Sequence, residues 1–389
     1  MYPTVVLKPG KQRIAASRHP WIFDGAIDGR RSEARDPGPV EVRDANGELV
    51  GVGTFNPLSP IAVRLLSRSG RALDEAFFVD RFERAAELRR AVVPRETDAF
   101  RVLNGEGDGV PGLIVDSFAG HLVAQIGTPG IEALRSSWLP ALGRVLEPRS
   151  ALLKPNQAAA NQERMAAPRG QLLGSTPERI DIREHGVRLT VAPQQGQKTG
   201  FFCDQRENRH ILAGLARGRE LLDCYSYTGA FGAHALTGGA AAVTCVETSE
   251  PARELLEHNL AAAGGVASRR ILDADAVEFL RGCDERFDIA VIDPPALAKR
   301  RRHLDRASRL YRELFSRAAG LLRVGGLLLA CSCSAAVDRS SFDQIVVSAV
   351  RAADRDARII LRGGAAPDHP VSAFHPQGDY LKVVLLQVL

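Results

Sequence analysis

Four signals recur at the ends of apolar runs in the second half of this sequence, in an order that suits a ligand with a ribose and an adenine but no phosphates. The run ELLDCY leads into S-Y-T-G-A-F-G. Gly229 and Gly232 there allow a tight turn and a close approach of backbone to ligand, flanked by Asp223, Tyr225 and Thr228. Eighteen residues after Gly229, AVTCVE ends in Glu247, placed to accept hydrogen bonds from both hydroxyls of a ribose. Asp275 in ILDADAVEFL follows at a spacing suited to an adenine amino group, and Asp293 opens Asp-Pro-Pro after FDIAVI. Singly, each reads equally well as a loop or a helix cap. As an ordered set they point to a nucleoside methyl donor. The three-glycine G-x-G-x-x-G turn that admits a pyrophosphate is absent, which disfavours NAD.

A thiol stands at the same edge. In LLLACSCS, Cys331 and Cys333 share one pleat face, with Cys331 about 7 Å further back along the strand. At a strand end beside Asp293, a thiolate is a candidate nucleophile. Without the Asp-Pro-Pro neighbour, both cysteines read as buried small hydrophobes.

The elements that must position these residues follow from pattern. The chain has 389 residues, enough for two or three domains. Its balance of 45% hydrophobic and 25% charged residues excludes a disordered or fibrous chain. Residues 1–73 alternate short β-prone runs with Gly, Pro, Asn and Asp breakers, including Asn46-Gly47 at hairpin spacing, and predict a small β-barrel. Residues 74–90 have helical apolar spacing and open a central α+β domain, 74–190, whose residues 157–171 lack any period and are expected to be a loop. From 191 to 389, strand-like and helical runs alternate as in a doubly wound parallel sheet, whose ligands sit at the carboxyl ends of the strands. Six scattered cysteines without paired CxxC units predict reduced thiols and no metal site. No apolar stretch approaches the roughly 20 residues of a membrane span, and MYPTVVLKPGKQR lacks a signal-peptide core. A cytoplasmic protein is expected.

QKTGFFCDQRENR (197–209), LLDCYSYTGAFG, IDPPALAK and CSCS together resemble the class I S-adenosylmethionine methyltransferase domain. More narrowly, they resemble the bacterial large-subunit (23S) ribosomal RNA cytosine-5 methyltransferase family with an N-terminal PUA domain. LKPGKQRIAASRHPWIFDGAI is similar to the PUA module and NGEGDGVPGLIVD to the central domain, so the resemblance covers nearly the whole chain. It implies an α/β fold with a Rossmann-like methyltransferase sheet at the C-terminus, preceded by a PUA-like barrel and an α+β domain. It implies S-adenosyl-L-methionine as cofactor, with Lys198, Thr199, Asp204, Gln205 and Arg206 over its methionine end. Two departures are Ala296 after Asp-Pro-Pro and a less charged 157–171 segment.

The resemblance also assigns the chemistry. Carbon 5 of cytosine is a poor nucleophile until a thiolate adds to carbon 6. Cys333 is then the nucleophile, while Asp293 holds the ring nitrogen and amino group of a flipped base. Lys299, Arg300, Arg301 and Arg302 follow directly and suit RNA phosphates. Lys8, Lys11 and Arg13 with Trp21 offer cations near an aromatic ring in the first domain, where Phe23 is expected to be barrel core. A net charge of +5 agrees only weakly with a polyanionic partner. Large-subunit ribosomal RNA is the expected partner, a second copy of the chain is another candidate, and no membrane is involved. Two alternatives stay open: methyl transfer to an exocyclic amine or purine ring nitrogen, which needs no thiol, and a non-catalytic PUA RNA-binding protein.

Overall fold

The computed structural model describes residues 2–11, 13–264, 267–298 and 301–389. The chain divides into two compact units. One comprises Met1–Pro94, Asp98–Glu178 and Pro367–Gly378; the other comprises Arg95–Thr97, Arg179–Ala366 and Asp379–Leu389.

The first unit contains two five-stranded sheets. The first runs, in spatial order, Thr4–Val6, Gly38–Arg43, Leu49–Phe55, Val63–Ser67 and Trp21–Ile22. Alternating side chains such as Val5, Val40, Val42 and Val63 fill its core. Its first hairpin turns where expected: Gly47 has φ of 91°, and Asp44 Oδ1 accepts from the backbone N–H groups of Asn46 and Glu48 at 2.8 and 3.0 Å. The expected helix is Glu75–Val92, capped by Asp74, whose side chain accepts from Phe77 N–H. Its Phe77, Phe78 and Phe82 pack with Trp138 from Arg135–Leu146 and with Val52 and Leu66 from the first sheet. The first two segments of the chain therefore share a core.

Two expectations fail in this unit. Residues 157–171 are not a loop: Gln157–Glu163 is a helix and Gly170–Leu173 a strand. The helix is fixed by a tertiary contact that periodicity cannot reveal, since Glu163 is buried against Arg64 at 2.6 Å and accepts from Asn56 and Ser59. Phe23 is 53% exposed and is not barrel core. It is the residue before the short helical turn Asp24–Ala26, outside the strand Trp21–Ile22.

The second unit is built on a seven-stranded sheet: β1 (Glu220–Cys224), β2 (Ala242–Val246), β3 (Ser268–Leu272), β4 (Phe287–Ile292), β5 (Leu322–Ser332), β6 (Ala357–Gly363) and β7 (Lys382–Val388). The spatial order is β3-β2-β1-β4-β5-β7-β6, with β7 antiparallel to both neighbours. Central strands such as β4 and β5 are covered on both faces, which is why they read as near-continuous apolar runs. Helix α1 (Ala230–Thr237) follows β1, α2 (Glu250–Ala262) follows β2, α3 (Ala276–Gly282) follows β3, α4 (Leu304–Gly320) follows β4 and α5 (Arg339–Ala352) follows β5. The strand order turns back on either side of the β1–β4 pair, so the crevice expected for a ligand opens at the carboxyl ends of these strands.

Candidate active site

The crevice is built from turns that the chain cannot make cheaply. After β1, Tyr225 and Tyr227 have φ of 63° and 49°, and Gly229 has φ of 75°. Left-handed backbone at two tyrosines costs roughly 1–3 kcal/mol each and is held only where the surroundings over-determine it. Those surroundings are visible. Tyr227 N–H donates to Glu247 Oε2 at 2.9 Å, and its hydroxyl accepts from Gln197 N–H at 2.7 Å and donates to the Gly200 carbonyl at 3.2 Å. Gly229 is required for space as well as φ, because a Cβ there would lie 2.9 Å from Leu256 Cγ.

A cavity of about 280 Å³ lies at these strand ends, near the lower limit of ligand cavities, roughly 300–1,000 Å³. Lys198, Gln205, Tyr225, Thr228, Glu247, Asp293 and Cys333 all line it. Thr199, Asp223 and Gly229 stand beside these residues in the chain but are not part of the lining. Asp275 is likewise outside the lining: it is exposed and caps α3, its Oδ1 accepting from the N–H groups of Val277 and Glu278 at 2.9 and 3.1 Å. Its short side chain next to a helix start satisfies the nearest orphan donors.

Two acids at these strand ends differ in kind. Glu247 accepts one backbone N–H on each carboxylate oxygen, from Tyr227 at 2.9 Å and Ser249 at 2.8 Å, leaving acceptor capacity on both. Asp223 is 1% exposed, and its Oδ2 has no hydrogen-bond partner. Burial, and then the charges of Asp293 and Glu247, push its carboxyl well above the usual range. Thr228 Oγ1 is likewise buried without a partner. Orphaned acceptors and donors of this kind are costly unless a ligand completes them. The open acceptors of Glu247 and the hydroxyl of Thr228, both in the lining, fit a nucleoside methyl donor with its ribose hydroxyls on Glu247.

The chemistry-bearing residues lie on the β4 and β5 side. Asp293 follows β4 directly and accepts from Gln205 Nε2 at 2.9 Å. Burial, followed by the nearby Asp204 carboxylate, pushes it up to about 6, against the Gln205 hydrogen bond and Lys198. Cys333 follows β5 and lines the cavity, while Cys331 is fully buried. Burial and then Asp293 raise the Cys333 thiol above its ordinary value, opposed by Lys198. Lys198 Nζ lies 3.2 Å from Asp204 Oδ2 and 4.2 Å from the centre of the Phe202 ring. Arg209 forms the back wall: it is 2% exposed, bonds Glu184 at 2.6 and 2.7 Å and donates to the Phe202 carbonyl at 2.9 Å.

Sequence reasoning passed over Tyr227 as the brace of the crevice and Tyr380, whose hydroxyl donates to Asp204 Oδ2 at 2.5 Å. The two positive φ values of the tyrosines carry no pattern in sequence. Of the expected RNA-binding residues, Lys8, Lys11, Arg13 and Arg302 are exposed. Trp21 is half-buried, donates to Glu106 at 2.8 Å and packs against His375 with ring centres 4.3 Å apart. Lys299 and Arg300 lie outside the described residues, as does the side chain of Arg301. Among the described residues no group of histidine, cysteine and acidic side chains could hold a metal, and no helix is long and apolar enough to cross a membrane.

Known proteins agree with this architecture. Residues 5–68 match a PUA-like domain, and residues 160–370 match an S-adenosylmethionine-dependent methyltransferase family. The chain is 33% identical to the ribosomal RNA large subunit methyltransferase I of Alteromonas mediterranea, over 100% of this chain and 99% of that protein. It is 34% identical to the protein of the same name from Photobacterium profundum, over 98% of each. In fold it is similar to an S-adenosylmethionine-dependent methyltransferase from Streptococcus mutans, with a TM-score of 0.83 at 21% identity over 99% of this chain and 100% of that one. A methyltransferase solved in complex with SAH gives a TM-score of 0.84, also at 21% identity and with the same coverage. With a methyltransferase family model over more than half its length and full-length identity above 30%, the chain belongs to the ribosomal RNA large subunit methyltransferase I family of S-adenosylmethionine-dependent enzymes.

Proposed function

We propose that this enzyme forms 5-methylcytidine in large-subunit ribosomal RNA through a covalent adduct of Cys333. The observation that carries this reading is the presence of Cys333 and Asp293 in the lining of one cavity, at the ends of paired strands. The name shared by the full-length relatives supports ribosomal RNA as the substrate.

Bound S-adenosylmethionine supplies an electrophilic methyl group for carbon 5. Glu247 holds its ribose hydroxyls, Asp223 and Thr228 complete its polar ends, Lys198, Thr199 and Gln205 close the methionine side, and Tyr225 and Gly229 shape the turn. The remaining steps belong to the protein and the base. Cys333 adds as thiolate to carbon 6, and the new S–C bond makes carbon 5 nucleophilic. Asp293, ionised above about pH 6, accepts from the amino group and, as the ring nitrogen takes up a proton from solvent, from that N–H as well. After methylation, loss of the carbon 5 proton to a base and breakage of the S–C bond restore the thiol.

Three chain segments divide the work in this reading: 1–73 and 74–190 receive RNA, and 191–389 performs the transfer. Lys8, Lys11, Arg13 and Trp21 contact RNA in the first, and Lys299, Arg300, Arg301 and Arg302 guide phosphates past the Asp-Pro-Pro turn. The test is incubation of unmodified large-subunit RNA with the enzyme and methyl-labelled donor, followed by nucleoside mass spectrometry. Label in 5-methylcytidine is the expected result; label in an N-methylated nucleoside, or none, contradicts it.

A further inference from the structure

The carbon 5 proton needs an acceptor, and among the described residues the cavity lining holds three carboxylates, Asp204, Glu247 and Asp293. Glu247 serves the ribose of the donor and Asp293 the edge of the cytosine. Of the other titratable groups in the lining, Cys333 is bonded to carbon 6 at this stage, while Lys198 and Arg209 are donors. Burial pushes the phenols of Tyr225 and Tyr227 up, away from the ionised form. Asp204 is left without a task.

This acid is firmly placed. It sits in the short helical turn Cys203–Gln205, is 4% exposed, and its backbone carbonyl accepts from Ala366 N–H at 2.9 Å. Its Oδ2 accepts from the Tyr380 hydroxyl at 2.5 Å and from Lys198 Nζ at 3.2 Å. Both are bonds that an ionised carboxylate accepts, and the ionised form is the one that can take up a proton. The next residue, Gln205, donates to Asp293, so a single turn of chain carries Asp204 and the bond that holds the cytosine-binding acid. After burial, Asp204 is the largest influence on Asp293; behind burial, Asp293 and Lys198, it acts on the Cys333 thiol too. The Lys198 side chain is 41% exposed, which gives a proton on Asp204 a way out to water.

We propose that Asp204 is the catalytic base that removes the carbon 5 proton. The inference rests on Cys333 as nucleophile. Once methylated, carbon 5 carries the new methyl group and its original hydrogen, next to a carbon 4 made electron-poor by the protonated ring nitrogen, and that hydrogen is acidic enough for a carboxylate. Asp204 forms the new O–H bond, the C–H electron pair closes the double bond between carbons 5 and 6, and the C–S pair leaves with Cys333 as thiolate. The ring nitrogen returns to solvent the proton it took up on addition, and the proton on Asp204 departs past Lys198. Because the methyl enters from the side of the donor, it pushes the hydrogen to the other face of the ring. Glu247, occupied with the donor itself, is on the wrong side for this step.

Two labels separate proton removal from methyl transfer. RNA containing 5-tritiocytidine is treated with methyl-labelled donor, and methyl transferred and tritium released to water are counted over the first turnover. Asp204→Asn is expected to transfer methyl within about threefold of the parent rate, to release tritium about a hundredfold more slowly, the scale of a lost general base, and so to lose turnover. It should also accumulate, on RNA without fluorine, a denaturation-resistant complex that holds the methyl label and the Cys333 peptide. Asp204→Glu keeps the carboxylate but displaces it, and its release is expected to lag transfer by about tenfold; this arm reports even where the Asn variant does not fold. Release in step with transfer in either variant overturns the proposal. So does an Asn variant whose methyl transfer falls as far as its release, and weakened S-adenosylhomocysteine binding in that variant would mark Asp204 as a holder of the donor instead. Failure of the nucleophile reading shows separately, as a Cys333→Ala enzyme that still methylates cytidine and releases tritium.

Discussion

Gln205 Nε2 donates to Asp293 Oδ2 at 2.9 Å, and Gln205 Oε1 accepts in turn from Asn208 Nδ2 at 2.7 Å. This chain of bonds joins the segment that closes the cofactor cavity to the acid at the end of β4. It also sets the acid's ionisation, since the Gln205 bond favours the charged form against burial and Asp204.

Gln205→Leu is expected to raise the Asp293 pKa from about 6 by about one further unit, the scale of one charge-assisted hydrogen bond. An acid with a raised pKa keeps its proton to higher pH, so the acid limb of kcat/KM moves in the alkaline direction. Initial rates should fall about threefold at pH 6.5 and change little at pH 8.5. An unshifted limb would detach Asp293 from the rate.

Cofactor contacts separate from capping. Glu247→Gln is expected to weaken S-adenosylhomocysteine binding by about tenfold or more, having lost a charge-assisted bond. Asp275→Ala should leave that affinity within about twofold and cost about 1 kcal/mol of stability, the usual value of a lost N-cap. Calorimetry and urea unfolding read the two effects.

Much of this was legible in the chain. The Rossmann-like sheet could be read because β1, β2, β4 and β5 are buried runs punctuated by glycine and acid, and the crevice followed from their order. β6 went unread because it is an edge strand with alternating exposure and arginines at both ends. The helix Gln157–Glu163 was invisible because Arg64, its ion partner, lies 99 residues away. Asp275 shows the opposite limit: spacing put an acid at the right strand end, but the side chain turns to the nearest helix instead.

The buried pair behind the cavity has a stability signature. Burial works to raise Glu184, but Arg209 and His234 outweigh it and hold the carboxyl at about 2. Its folded-state pKa is depressed, so its contribution is present above the ordinary value near 4.5 and is lost as pH falls toward 2. Glu184→Gln leaves the Arg209 charge buried and unpaired and should cost about 3–5 kcal/mol at pH 7. In urea unfolding, the gap between variant and parent should narrow at pH 3.

RNA contacts should appear as binding and not as chemistry. Arg302→Ala and Lys11→Ala are each expected to raise the RNA KM with kcat unchanged, and each to reduce the slope of log affinity against log salt by about one. A loss confined to kcat would contradict phosphate binding at these positions.

The central claim is that the sulfur of Cys333 bonds to cytosine, and trapping with 5-fluorocytidine-containing RNA tests it most directly, since fluorine blocks the final elimination. The wild-type enzyme with S-adenosylmethionine should give a denaturation-resistant RNA–protein complex whose cross-linked peptide contains Cys333. Cys331→Ala should still form it and Cys333→Ala should not. A wild-type enzyme that methylates unmodified RNA but traps nothing, or a Cys333→Ala enzyme that traps normally, would contradict the account.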